Sequence, residues 1–371
     1  MHDKSSSNPA PRTRAKRKRR TSLTKRLVLA SVSFALALGL AEVALRILVE
    51  PELRRSAIYD SVLGWRGRPY ATGLYVRRDA DIRTRFQYNN LGYRDEDVVR
   101  RTPNIHETRV MLLGDSFLEN LEVDYKYVFH KRLQDQLTLD CQQKFSAIAI
   151  GSQGYSTAQQ LLAFRRYAET VSPDIVLTMF YTGNDFEDNT RRRFAYLGPD
   201  GSVVLPHNEE SALQHGWRTV QRSLYERSYL VYLAKNQIQR FVQVDLQDPS
   251  KATQGDDSDK YEITSALLQK VDDEVRAFGS RHGVVIIPSR DEILSGDLTR
   301  VNLIRDFCRA RAIPCLSLAE HLTAEHFFEN DIHFTVQGHN EVTSRLADFL
   351  KAEFKTIVCS DLDTSDLAAF K

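Results

Sequence analysis

Val110-Met111-Leu112-Leu113-Gly114-Asp115-Ser116-Phe117 is the stretch that decides the fold of this 371-residue chain. Its apolar first half predicts a buried strand, and a helical pattern follows from about Tyr125 to Leu139. Ser116 is therefore predicted to lie at the carboxyl end of a strand, where open α/β sheets bind their ligands. A serine there can attack a carbonyl while its backbone N–H helps to hold the oxyanion that forms. Because Asp and Ser are also ordinary helix N-cap residues, the tripeptide needs further support.

Three further motifs follow in order along the chain. Ala147–Tyr155 is a second apolar strand that runs into a glycine turn, and Ile175–Asp185 is a third strand that ends in Gly-Asn-Asp. The third motif is Asn330–Phe334, which contains Asp331 and His333 and precedes a final amphipathic helix. Each motif alone has an ordinary structural interpretation, such as a turn or a hydrogen-bonded structural histidine. Together they make the catalytic interpretation the stronger one, because all the structural interpretations would have to coincide in this order.

These motifs resemble those of the SGNH (GDSL-type) hydrolase family over roughly residues 110–354. The resemblance implies that Ser116 is the nucleophile, that His333 is the general base and that Asp331 orients the histidine. It also implies that the backbone N–H of Gly154 and the side-chain amide of Asn184 are oxyanion donors beside the N–H of Ser116, each worth about 3 kcal/mol of barrier. The fold implied is a flavodoxin-like three-layer α/β/α sandwich with a five-stranded parallel sheet.

The chain departs from the family pattern at two places. The family often has its acid three residues before the histidine, whereas that position holds Asn330 and the acid Asp331 lies two before. Residues two apart in an extended segment face the same side, so Asp331 remains the candidate. The second departure is the stretch 117–120, Phe-Leu-Glu-Asn, where relatives usually have small residues and glycine. It puts the substrate class in question more than the catalysis.

The pattern after Thr108 alternates between strands and helices, which predicts a parallel sheet covered on both faces. The predicted strands are Val110–Leu113, Phe145–Ile150, Ile175–Phe180, Val284–Pro288 and Cys315–Leu318. The predicted helices between them include Thr157–Thr170, Glu262–Arg281 and Thr299–Arg311.

A basic run precedes a long apolar segment near the N-terminus. Residues 12–26 hold nine Lys and Arg residues and no acid, and Leu27–Ala41 is uncharged. The whole apolar segment, 27–49, is about as long as a membrane-spanning helix, and basic residues before it follow the positive-inside rule. We therefore expect a single-pass anchor with a cytoplasmic N-terminus and the body in the periplasm or outside. A cleaved signal peptide is the competing interpretation. Glu42 and Arg46 are expected to pair on one helix face.

The expected organisation is a basic disordered tail (1–26), the anchor (27–49), a β-rich stem (50–105), the hydrolase domain (106–356) and a C-terminal tail (357–371). The stem contains Arg94, for which a surface salt bridge is expected. Residues 190–260 form an insertion too long for a plain loop, with an amphipathic helix at 216–241. It is either a packed helical insertion or a lid over the site.

The four cysteines show no metal-ligand spacing, and no phosphate-binding glycine loop occurs in the sequence. We expect no cofactor and no metal. Cys308 and Cys315 are either a disulfide pair or two buried free thiols. Because the formal charge outside the basic tail is acidic, no nucleic-acid partner is expected.

The sequence thus predicts a membrane-anchored serine esterase that acts on acyl esters, with O-acetyl groups of envelope polysaccharide the leading substrate and lipid esters next. One alternative is an acetyltransferase that modifies a surface glycan with the same triad. The other is a non-catalytic binding or assembly protein that retains the fold.

Overall fold

A computed structural model of the chain describes residues 23–48, 56–101, 107–206 and 257–359, together with positions 213, 216, 217, 220, 221, 224 and 227–235. Most of the expected basic tail, the polar stretch 245–256 and residues 360–371 lie outside the described residues. The strands are β1 Ala57–Asp60, β2 Gly64–Gly67, β3 Thr72–Arg77, β4 Ile82–Gln87, β5 Glu107–Gly114, β6 Lys144–Gly151, β7 Ile175–Tyr181, β8 Tyr196–Leu197, β9 Val203–Val204, β10 Arg281–Ile287 and β11 Cys315–Ser317. The helices are α1 Leu23–Leu48, α2 Ser116–Glu119, α3 Phe129–Cys141, α4 Thr157–Val171, α5 Asp185–Asp188, α6 Asp257–Phe278, α7 Arg290–Ser295, α8 Thr299–Ala310, α9 Val336–Glu353 and α10 Lys355–Val358.

The central sheet has five parallel strands in the order β11-β10-β7-β5-β6. The predicted five-stranded parallel α/β fold is confirmed, and each predicted strand is present to within a few residues at its ends. Read from β6, the strands follow the 2-1-3-4-5 order of the flavodoxin-like fold. The order reverses between β5 and β7, so the crevice for a ligand is expected outside the carboxyl ends of these two strands.

Helices cover both faces of this sheet. Val110 and Leu112 of β5 pack with α3 and α9 on one face, whereas Met111 and Leu113 pack with α4 and α6 on the other. Side chains alternate between the faces along a strand, so two-sided burial makes β5 a continuous apolar run. The apolar pattern that opens the sequence motif is therefore the signature of a central strand.

The stem forms two antiparallel hairpins, β1–β2 and β3–β4, that lie on the α/β core. Tyr75 of β3 and Phe86 of β4 share a buried cluster with Leu121, which belongs to the core. Trp65 of β2 makes edge contacts with Tyr155, at a ring distance of 5.8 Å. The hairpins therefore pack on the segments that follow β5 and β6.

Arg94 is completely buried, so the expected surface salt bridge is wrong. Its guanidinium donates hydrogen bonds to the backbone carbonyls of Asn120 and Val123, the latter at 2.7 Å. An arginine has five N–H donors in a fixed fork, and here two of them hold both ends of a short loop. Arg94 thereby fixes the segment 120–123, which carries Glu122.

The cysteine pairing differs from the expected one. Cys141 at the end of α3 and Cys359 after α10 form a disulfide across 218 residues of sequence. Cys308 and Cys315 are free thiols, so the proposed 308–315 disulfide is wrong and the free-thiol alternative holds. A bridge between residues so far apart in sequence has no local signal, because only the packing of α10 beside α3 brings them together.

Helix α1 is long and apolar enough to cross a membrane, a property that a signal sequence also has. The expected Glu42–Arg46 pair is present, with 2.9 Å between Arg46 Nε and Glu42 Oε1. Glu42 also accepts hydrogen bonds from the Ser228 hydroxyl and from the backbone N–H groups of Tyr229 and Leu230. This carboxylate therefore links α1 to the described part of the insertion.

Candidate active site

Ser116 lies where β5 ends and the short helix α2 begins. The Asp115 carboxylate caps this helix and accepts a hydrogen bond from the Phe117 N–H at 2.9 Å. Because Ser116 is the first helical residue, its N–H has no acceptor within the helix. The residue is about 8 % exposed. The sharp turn from strand to helix thus places the hydroxyl and the N–H of Ser116 at the carboxyl end of β5.

Asp115 also joins the Gly-Asp-Ser motif to the Gly-Asn-Asp motif, across the point where the strand order reverses. Asn184, which follows β7, donates a hydrogen bond through Nδ2 to Asp115 Oδ2 at 3.3 Å. This hydrogen bond holds the Asn184 amide beside the turn that carries Ser116. The sequence did not predict this role of Asp115. The clue to this role is the pairing of β5 with β7, because it brings together the residues that follow the two strands.

Gly154 lies in a tight turn after β6 with a positive φ of +71°, a conformation that favours glycine. The turn is closed by a hydrogen bond from the Tyr155 N–H to the Ser152 carbonyl. It is held on one side by the Glu119 carboxylate, which accepts the Gln153 N–H at 2.8 Å. On the other side, Trp65 Nε1 of the stem donates to the Gln153 carbonyl at 3.0 Å.

His333 lies in the loop before α9, and its ring is 4.9 Å from that of Phe117, the neighbour of Ser116. Asp331 accepts the His333 backbone N–H at 3.0 Å and also bonds the ring Nδ1. Within the described part of the chain, His333 Nε2 is buried and has no hydrogen-bond partner. A hydrogen bond from Ser116 to His333 is therefore not formed in this state. Catalytic hydrogen bonds commonly tighten only when substrate binds.

A second carboxylate, Glu122, faces the same ring nitrogen. Its Oε1 lies 3.3 Å from His333 Nδ1, and its side chain is 2 % exposed. Sequence reasoning missed Glu122. The available signal was an acid between the apolar residues Leu121 and Val123, close after the nucleophile, since a buried carboxylate requires a partner.

The stem hairpin β3–β4 supplies two partners to these carboxylates. The Arg77 Nη1 lies 2.8 Å from Asp331 Oδ2, and the Tyr75 hydroxyl is hydrogen-bonded to Glu122. Arg77 thus contacts the loop that carries His333, and Tyr75 contacts the segment that follows α2. Nothing in the sequence assigned a site role to this hairpin.

The charges in this cluster shift the pKa values of its own members. Burial alone would lower the pKa of His333, but the carboxylates of Glu122 and Asp331 outweigh it and the net pKa is raised. Burial alone would raise the pKa of Asp331, but the hydrogen bond from His333 opposes it, and the net pKa is lowered. Burial raises the pKa of Glu122, whereas His333 opposes that shift. A histidine with a raised pKa takes up a proton readily, which is what a general base requires.

Glu122, Asp331 and His333 each offer one ligand atom, and these atoms lie within 4.8 Å of one another. Arg77 already places a positive charge against the second oxygen of Asp331. His333 Nδ1 is engaged by Asp331 as well. The three residues therefore suit a charge-balanced hydrogen-bonded cluster better than a cation site.

A cleft of about 670 Å³ opens beside Asn184 and Ile332. Its other walls come from the start of α6 and from α7 and α8, and most of the lining side chains are polar or charged. They include Lys260, Ser289, Asp291, Glu292, Asp297 and Arg300.

Comparisons with known proteins give the following. No protein-family model matches the sequence, and no curated protein matches it either. Solved structures with a similar fold include the psychrotrophic esterase EstA from Pseudoalteromonas sp., at 10 % identity over 67 % of this chain and 99 % of that one, with a TM-score of 0.39. A GDSL-like lipase from Bacteroides thetaiotaomicron is 12 % identical over 66 % of this chain and 89 % of its own, with a TM-score of 0.36. An acetyl xylan esterase is 13 % identical over 65 % and 98 %, with a TM-score of 0.37. At such low identity and TM-scores we draw nothing about activity from these structures.

Proposed function

We propose that this protein is a membrane-anchored serine esterase that removes O-acyl groups, with O-acetyl groups of an envelope polysaccharide as the leading substrate. Ser116 is the nucleophile, His333 the general base and Asp331 the residue that orients it. The Ser116 and Gly154 N–H groups and the Asn184 amide are the oxyanion donors. Helix α1 is the anchor, with the N-terminus cytoplasmic and the catalytic domain on the far side of the membrane.

The proposed reaction has two halves. The Ser116 Oγ attacks the ester carbonyl while His333 Nε2 takes its proton, and the tetrahedral oxyanion collapses with transfer of that proton to the departing sugar oxygen. A water molecule then attacks the acyl-serine and gives its proton to His333. Collapse of the second tetrahedral intermediate releases the carboxylic acid and returns the proton to Ser116 Oγ.

One observation supports this function above the others: the buried and unpaired Nε2 of His333, in a ring whose Nδ1 is bonded to Asp331. Orientation of the ring through Nδ1 leaves Nε2 as the atom that can exchange a proton with a serine hydroxyl. Burial of an unpaired polar atom costs free energy, and a catalytic role is one explanation for such an atom. Here the ring also lies 4.9 Å from that of Phe117, the neighbour of Ser116.

The choice of polysaccharide over lipid is supported by the polar cleft next to Asn184. Asp291 can accept hydrogen bonds from sugar hydroxyls, and Lys260 and Arg300, which are ion-paired with Glu187, keep further N–H donors for them. The anchor brings the site close to the cell envelope, where such polymers lie.

The function is tested with the full-length protein in detergent micelles. We expect hydrolysis of p-nitrophenyl acetate, a fall of at least about 10⁴-fold in Ser116→Ala, and labelling of the wild type by a fluorophosphonate at Ser116. Ser265→Ala, on helix α6, is the matched control and should keep both properties. Equal rates in wild type and Ser116→Ala, with no labelling, would exclude the proposed mechanism. Labelling of Ser116 without hydrolysis would favour a transferase on the same residues.

A further inference from the structure

The Nδ1 of His333 faces two carboxylates, although one would hold the ring. Asp331 comes from the same loop, and Glu122 comes from the segment that follows α2. Both carboxylates are almost fully buried, and each has a partner from β3 of the stem. Two carboxylates from distant parts of the chain thus hold the histidine ring.

We propose that Glu122 is a positioning residue for the His333 base, and that Tyr75 and Arg77 of hairpin β3–β4 complete this network, so that the stem is part of the catalytic centre. This extends the proposed serine esterase mechanism and rests on it. None of the three residues is assigned contact with the substrate; they act through His333.

Glu122 is held rigidly enough for this role. Arg94 binds the carbonyls of Asn120 and Val123 on both sides of it, and Asn120 adopts the left-handed conformation with φ of 52°. The Tyr75 hydroxyl is hydrogen-bonded to the carboxylate. Within the described part of the chain, Glu122 Oε1 has no hydrogen-bond partner, and it lies 3.3 Å from the Nδ1 of the imidazole.

This arrangement gives a physical reason for the departure from the family pattern after the nucleophile. The stretch Phe117–Asn120 forms α2 and its left-handed end, which turns the chain so that Glu122 reaches His333. Within α2, Glu119 accepts a hydrogen bond from the Gln153 N–H, one residue before Gly154. A flexible glycine-containing stretch could not hold either carboxylate at these positions.

The network also places opposite charges next to each other around the base. With His333 protonated, its positive charge and that of Arg77 lie against the negative charges of Asp331 and Glu122, and Arg77 is also paired with Asp79 at 2.9 Å. The other titratable groups that face His333 are Asp115 at the end of β5 and His339 of α9, with Arg94 beyond Glu122. Loss of Glu122 removes a negative charge and disfavours the imidazolium, whereas loss of Arg77 removes the compensating positive charge and favours it.

These two substitutions therefore move the titration of His333 in opposite directions. The base works only when it is neutral, so the reaction speeds up as pH rises through the pKa of His333. Glu122→Gln should lower that pKa, so the acidic limb of the pH–rate profile should shift to lower pH. Arg77→Gln should raise it and shift the limb to higher pH. If the hairpin had only a structural role, the two substitutions would not shift the pKa of His333 in opposite directions.

The experiment follows the rate of fluorophosphonate labelling of Ser116 against pH, with full-length protein in detergent. We expect Glu122→Gln to label on the order of 10- to 100-fold more slowly at its plateau, because the ring is less well placed, with its limb at lower pH. Arg77→Gln should move the limb to higher pH, and Arg77→Lys should restore it. Arg78→Gln, an exposed charge on the same hairpin, is the control and should match the wild type.

The outcomes separate the two levels of inference. Absence of Ser116 labelling in the wild type at every pH would overturn the proposed function itself. Normal labelling of the wild type, with unshifted limbs or limbs that move in the same direction in Glu122→Gln and Arg77→Gln, would overturn the role of the network. If Glu122→Gln does not fold, the pair Arg77→Gln and Arg77→Lys decides, because the Arg77 side chain is more than a third exposed.

Discussion

The carboxyl edge of the central sheet and the stem hairpins carry different kinds of residue around one site. The sheet edge supplies Ser116, Gly154 and Asn184, the groups proposed to contact the reacting ester. The stem supplies Trp65, and through β3 Tyr75 and Arg77, which touch only other protein groups at the site. A motif at a strand end is visible in the sequence because strand and turn are local, whereas a supporting group can come from any segment that packs nearby.

If this division holds, substitutions at the sheet edge and in the His333 loop should damage activity more than substitutions in the stem. Among substitutions that leave Ser116 and His333 intact, Asp331→Asn should have the largest effect. We expect a fall in kcat on the order of 10⁴-fold, because the ring loses its orienting carboxylate. The measurement is steady-state ester hydrolysis.

Glu329→Gln removes an exposed acid two residues earlier and serves as the control. A fall in Asp331→Asn no larger than that of Glu122→Gln would show that the two carboxylates are equivalent. Asp331 would then lose its place as the principal partner of His333.

Asn184→Ala should come next, with a fall in kcat of about 10²- to 10³-fold, as for other oxyanion donors. KM should change little, since the interaction strengthens only in the transition state. Asn302→Ala, at an exposed position on α8, should leave both constants unchanged. An effect of Asn184→Ala confined to KM would instead place this residue in substrate binding.

Trp65→Phe should have a smaller effect, because it removes one hydrogen bond to the turn that carries Gly154. The net value of such a bond is about 0.5–1.5 kcal/mol, which corresponds to a fall of about two- to tenfold in kcat/KM. Trp217→Phe replaces the other tryptophan of the chain, which is 64 % exposed, and should have no effect. A loss as large as that of Asn184→Ala would contradict a supporting role for the stem at this turn.

The Cys141–Cys359 disulfide lies by the amino edge of the sheet, where Thr108 bonds the Ile357 carbonyl. Replacement of both cysteines by serine should lower the free energy of unfolding by about 2–5 kcal/mol and leave kcat/KM nearly unchanged. Thermal unfolding with parallel activity assays measures both quantities, with Cys315→Ser as the control. A marked loss of activity in the folded double variant would mean that the disulfide at the amino edge of the sheet affects the site at its carboxyl edge.

The sequence by itself determined the α/β fold and five of its strands, because a strand that is buried on both faces consists of a continuous run of apolar residues. It also determined which residues close those strands, so Ser116, Gly154 and Asn184 could be named as candidates. His333 and Asp331 were candidates because the motifs in this order resemble those of the SGNH (GDSL-type) hydrolases.

Only the tertiary structure decided which distant segments meet. The stem partners of Asp331 and Glu122, the buried Arg94, the approach of Glu122 to His333 and the Cys141–Cys359 bridge all depend on contacts between residues far apart in sequence. Such contacts leave no periodicity and no local motif, since they arise from how strands and loops pack after the sheet has formed. The physical reason is that side-chain patterns report burial along one element, whereas a network around a base is set by the geometry between elements.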